Sequence, residues 1–153
     1  MTRIVVTDLA PSDYQEFHAG IAEEDHRELT AAGSTPWRAF EDAMYAQRCG
    51  GQSLALRVNG ELTAIGGITP ASGNGIHILW LLCTDKIRKY PKDSYKVFKL
   101  WIDSANREGL PCWNVTSVHS MGHHRLLKRL GLNLDTTETH DVSGNPFYIF
   151  TSW

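Results

Sequence analysis

The run Ile76-His77-Ile78-Leu79-Trp80-Leu81-Leu82-Cys83 is the feature that most limits what this chain can become. Only His77 interrupts its apolar character. Eight residues suit one strand and are too few for a core helix, and apolar side chains on both faces ask for cover on both faces. Such a strand belongs in the middle of a sheet with helices on either side. Alternation sets His77 on one face with Leu79, Leu81 and Cys83, opposite Ile76, Ile78, Trp80 and Leu82. His77 therefore reads either as a polar group at a cleft or as a core histidine with its hydrogen bonds satisfied.

The remaining segments supply the cover. Residues 3–9 are rich in β-branched side chains and read as a first strand. Pro11-Ser12-Asp13 opens a helix whose apolar stripe is Tyr14, Phe17 and Ile21. Residues 22–32 are helical and polar, and Gly33 ends them; the acidic run at 23–25 reads as a solvated face. Ser34-Thr35-Pro36 starts a third helix, expected to turn Trp37, Phe40, Met44 and Tyr45 to the core. Residues 53–58 and 61–68 are two strands joined by Asn59-Gly60, the pair that a type I′ hairpin turn favours. Residues 91–108 form the longest helix, with Val97, Phe98, Trp101 and Ala105 inward. After a short strand at 111–116 comes a helix at 120–130, with Leu126, Leu127 and Leu130 inward and Ser120 as its N-cap. Two strands near 133–140 and 146–151 close the chain. The order predicts a mixed α/β sheet of about seven strands with helices on both faces, in one domain over residues 1–153.

Charge narrows the function classes. Fifteen Lys and Arg oppose 17 Asp and Glu in 153 residues, a net charge of −2, which argues against a general nucleic-acid binder. No apolar stretch is long enough for a membrane span, and the first residues lack the apolar core of a secretory signal. Cys49, Cys83 and Cys112 show no CxxC spacing and read as small hydrophobes in a reducing compartment. His119 and His123 stand four apart without a third ligand at a telling spacing, so no metal is expected. The five tryptophans read mainly as core.

Three segments carry a resemblance: Ala64-Ile65-Gly66-Gly67, Trp113-Asn114, and Ser120-Met121-Gly122-His123-His124-Arg125-Leu126-Leu127-Lys128-Arg129-Leu130-Gly131. With the element order, they make the chain resemble the GNAT acetyltransferase superfamily. Within it, the chain is similar to the GNAT-like internal virion protein A of short-tailed lytic bacteriophages. The resemblance implies that the fourth and fifth strands splay apart and that acyl-CoA, acetyl-CoA first, sits between them. It also implies a host bacterial protein or a virion component as partner, and the host cytoplasm as location.

The implied cofactor-binding positions are Cys83, Thr84, Lys86, Arg88, Lys89, Tyr90 and Lys92, with Asn114 on the opposite strand. The family's pyrophosphate turn is rich in glycine; here residues 84–95 contain none, and Pro91 removes an N–H. Six of the 15 basic residues crowd into positions 86–99, where side chains can stand in for backbone donors, or simply form a solvated face. The tyrosine that usually serves as general acid corresponds to Leu127. His77, Asn114, Ser120 and His123 are the candidate catalytic groups that remain. Asn114 could hold a pantetheine-like chain or mend unpaired backbone at the splay. Two readings follow: a binding protein with a degenerate acyl-CoA site, or an active N-acetyltransferase. The aromatic segment 146–150 could be an exposed edge through which a dimer forms, or could seal the core.

Overall fold

The structure, a computed structural model, describes residues 1–70 and 73–153. Strand β1 (Ile4–Asp8) is followed by helices α1 (Tyr14–Gly20), α2 (Glu23–Ala31) and α3 (Pro36–Arg48). The meander β2 (Gln52–Val58), β3 (Glu61–Pro70) and β4 (His77–Cys83) comes next. Then follow α4 (Pro91–Arg107), β5 (Cys112–Ser117), α5 (Met121–Arg129), β6 (Asn133–Val142) and β7 (Asn145–Thr151). One seven-stranded sheet has the order β1-β2-β3-β4-β5-β7-β6, with β4 in the centre and β4–β5 the parallel pair. The expected mixed sheet with helices on both faces is what forms.

Local chemistry explains the element ends. Asn59 and Gly60 both adopt positive φ (51° and 80°), and the β2–β3 hairpin turns on them. Thr35 caps α3 by accepting the Arg38 N–H at 3.1 Å. At Gly67 the β2 backbone comes close: a Cβ there would lie 1.8 Å from the Gln52 carbonyl oxygen.

The sheet separates two cores. On one face Ala55, Leu62 and Ile65 pack against Phe17 of α1 and Phe40 and Ala43 of α3. On the other, Leu56, Val58 and Ala64 pack against Val97, Phe98 and Ile102 of α4 and against Leu130.

Several expectations need correction. Trp37 and Tyr45 are 52% and 63% exposed, because the buried stripe of α3 runs through Phe40, Ala43 and Ala46, and Tyr45 points away from it. Trp37 instead lies edge-on against Tyr14, ring centroids 4.8 Å apart. Trp153 and Cys49 are also exposed. The segment 146–150 is no edge: β7 lies between β5 and β6, with Phe147 and Phe150 buried, and the sheet's edges are β1 and β6. Among the described residues no helix is long and apolar enough to cross a membrane.

Candidate functional site

Strands β4 and β5 pair at only two positions, His77 with Cys112 and Ile78 with Trp113. Beyond them β5 bonds to β7 alone, while β4 stays bonded to β3 up to Cys83 and its other edge has no strand among the described residues. Two side contacts hold the resulting V open. Asn114 Nδ2 donates to the Leu79 carbonyl at 3.0 Å, and its Oδ1 accepts the Val115 N–H at 2.8 Å. At the far end the Ala22 N–H donates to the Cys83 carbonyl at 2.9 Å. Leu81 lies in phase between these points, so its backbone N–H and C=O face the gap.

The V is one wall of a slot of about 650 Å³, closed by α2, α3 and α5. It accounts for a departure from the sequence reading: six of the seven residues of β4 are only half-buried. Leu126 and Leu127 are half-buried for the same reason, since both line the slot. Leu127, at the position implied for the acid, adds an apolar wall.

An ionisable cluster lies in this slot. His123, in the first turn of α5, has Nε2 at 3.2 Å from Asp25 Oδ1, and its Nδ1 contacts Glu28 Oε2. The other Glu28 oxygen accepts the Ser117 N–H at the end of β5. Burial alone would lower the His123 pKa, but hydrogen bonds and charge from Asp25 and Glu28 overcome it and raise it to about 10. His123 is therefore an imidazolium at neutral pH. Burial raises the Asp25 pKa above the ordinary carboxyl value, and His123 only partly offsets this. Burial also works against ionised Glu28, but His123 together with the Ser117 N–H wins, and its pKa falls below the ordinary value.

The acidic run expected to be a solvated face thus carries a buried group: Asp25 is 4% exposed. Glu28 was missed altogether. The signal for it was available: α2 carries carboxylates at Glu24, Asp25 and Glu28, at one-turn spacing, with almost no apolar stripe to dock it.

The α5 N-terminus also differs from expectation. Ser120 occupies the N-cap position and is buried, but its hydroxyl caps nothing. Glu24 of α2 does so instead, accepting the His123 N–H at 2.8 Å. Gly122 admits it, since a Cβ there would lie 2.8 Å from both Glu24 carboxylate oxygens.

Of the implied cofactor positions, Cys83 and Asn114 line the slot. Thr84 is buried, donating to the Leu62 carbonyl at 2.7 Å and accepting the Lys86 N–H at 3.3 Å. Lys86 and Lys89 pair with Glu61 at 3.8 and 3.2 Å. The amides of Ile87, Lys89 and Ser94 donate to Thr84, Lys86 and Tyr90 within the same segment. Tyr90 packs beneath α4, while Arg88 and Lys92 are exposed. His77 stands where β4 and β5 are still bonded, outside the slot, and its buried Nδ1 has no hydrogen-bond partner among the described residues, unlike a satisfied core histidine.

With this geometry in view, comparison with solved structures shows the fold. It is the GNAT acetyltransferase fold. An acetyltransferase from Agrobacterium tumefaciens superposes with a TM-score of 0.70 at 17% identity, covering 97% of this chain and 90% of that one. The spermidine N-acetyltransferase of Vibrio cholerae, solved with CoA and spermine, gives 0.69 at 9% identity, covering 97% and 94%. The ribosomal-protein-alanine N-acetyltransferase of Brucella melitensis gives 0.67 at 10% identity, covering 96% and 98%. No protein-family profile matches the chain, and no curated protein sequence does.

Proposed function

We propose that this chain is a bacteriophage protein that uses the GNAT fold for binding, its partner a bacterial host protein or a virion component, and that its acyl-CoA site is degenerate. The phage origin rests on the sequence resemblance. The observation that carries the binding reading is the segment between β4 and α4. A pyrophosphate needs donors that point outward, and here Lys86, Ile87, Lys89 and Ser94 turn their amides inward, while Pro91 has none. Lys86 and Lys89 are engaged with Glu61. His123, one helical turn before the position implied for the acid, is fixed between two carboxylates with a pKa of about 10, well above the range suited to proton exchange near neutrality.

The test is calorimetry and thermal denaturation with acetyl-CoA, followed by an assay for acetyl transfer. A ligand at about 100 times its Kd adds about 2.7 kcal/mol of apparent stability. The expected result is no shift at millimolar acetyl-CoA and no acetylated product. Saturable stabilisation together with turnover overturns the reading.

The open slot favours a second reading, an N-acetyltransferase. An apolar channel with the Leu81 backbone free along one wall suits an acyl-pantetheine arm, and Arg88 and Lys92 could meet its phosphates as charges. Its mark would be acetyl-CoA binding that Arg88→Ala and Lys92→Ala weaken without unfolding the chain.

A further inference from the structure

The side of the sheet covered by α4 and α5 concentrates positive charge. Nine of the chain's 15 basic residues fall within 86–99 and 125–129. Three of them are paired, Lys86 and Lys89 with Glu61 and Lys99 with Asp103. The other six, Arg88, Lys92, Lys96, Arg125, Lys128 and Arg129, are exposed and form no ion pair among the described residues. The two helices meet at the C-terminal end of α5. Tyr95 Oη donates to the Arg129 carbonyl at 2.8 Å, and the Arg129 guanidinium lies 5.3 Å from the Tyr95 ring centroid. Lys92, Lys96 and Leu100 follow one another at four-residue spacing along α4, and Met121, Arg125 and Lys128 make a similar outward stripe on α5. Each stripe thus combines cations with one large apolar side chain, Leu100 at 60% and Met121 at 58% exposure.

We infer that this α4–α5 face docks an acidic, amphipathic segment of a partner protein. The inference rests on the binding reading above and supplies the partner's chemistry. Carboxylates of the segment meet Lys92, Lys96, Arg125 and Lys128, and its apolar residues cover Leu100 and Met121. A nucleic acid is the poorer fit, because a row of phosphates gains nothing from Leu100 or Met121.

The probe is a fluorescein-labelled peptide of about four helical turns, built from Glu and Leu with Leu at three- and four-residue spacing. Anisotropy is followed with the full chain at about 50 mM salt. Saturable binding is expected. It should weaken about tenfold or more in the Lys96→Glu, Lys128→Glu double variant, and similarly on raising salt to about 300 mM. A Leu100→Ser, Met121→Ser variant should lose about fivefold while the salt dependence persists. Circular dichroism checks that each variant is folded. The inference is overturned by an absence of saturable binding, by unchanged affinity in the double charge reversal, by tighter binding to oligothymidylate than to the peptide, or by self-association that the reversal abolishes. Acetyl-CoA binding and turnover are read separately. If they appear while the peptide binds as expected, the functional reading falls and the docking face stands.

Discussion

Nε2 of His123 stands 3.2 Å from Oδ1 of Asp25, and this contact fastens α2 to the first turn of α5 across the slot. Asp25 is the only fully buried residue of α2. The helix is therefore held against the sheet largely by charge and hydrogen bonds, through Glu24, Asp25 and Glu28, rather than by an apolar stripe. His123 is the common partner of all three.

Removing the imidazole leaves two carboxylates facing each other without their cation. His123→Ala should cost about 3 kcal/mol in urea denaturation, because breaking a buried ion pair strands the remaining charge. Adding Asp25→Ala to that variant should cost less than the two single losses summed. Strict additivity would show that the pair is not coupled.

The cluster also sets a pH dependence. The His123 pKa is raised to about 10 in the folded chain, against an ordinary value near 6.5. A raised pKa means that folding favours the protonated form. Its contribution is complete below about pH 6.5 and is lost progressively as pH climbs to about 10. Denaturation midpoints of the parent chain should fall across that window more steeply than those of His123→Gln. Parallel curves would argue against a charged His123.

The cap that Glu24 provides should be separable from the imidazole cluster. Glu24→Ala should cost about 1 kcal/mol, the usual loss for a helix cap. Gly122→Ala should cost a similar amount, since the new methyl displaces the Glu24 carboxylate. Combined, the two should cost little more than either alone, because they remove the same contact. A Gly122→Ala chain as stable as the parent would count against this capping geometry.

Asn114 pins the splay. Asn114→Ala should lose about 1–2 kcal/mol, since the Leu79 carbonyl loses its donor. Amide exchange should quicken at Val115 while the β2–β3 hairpin stays protected. Uniform quickening would mean that the change acts on global stability alone.

The expected elements were readable because each depends on neighbours in the chain. The Asn59-Gly60 turn, the Thr35 cap and the apolar faces of α4 and of β2–β3 need only a few consecutive residues to be specified. The apolar run at 76–83 lies at the sheet's centre, as its composition predicts. It is less buried than that composition suggests, since apolarity says that a surface seeks cover and not how closely the covering elements approach. Ser120 has the residue type and position of a cap for α5, but the Glu24 carboxylate from a distant helix takes that role.

What the amino-acid order determined by itself is the set of strands, helices and turns and the sheet they build, because short-range sterics and hydrophobic period act within a segment. Tertiary structure alone decided that Tyr45 faces water and that Glu24, Asp25 and Glu28 converge on His123. Those outcomes depend on how segments far apart in the chain meet, and there the low-dielectric interior turns an acidic stretch of helix into a fastening for one imidazolium.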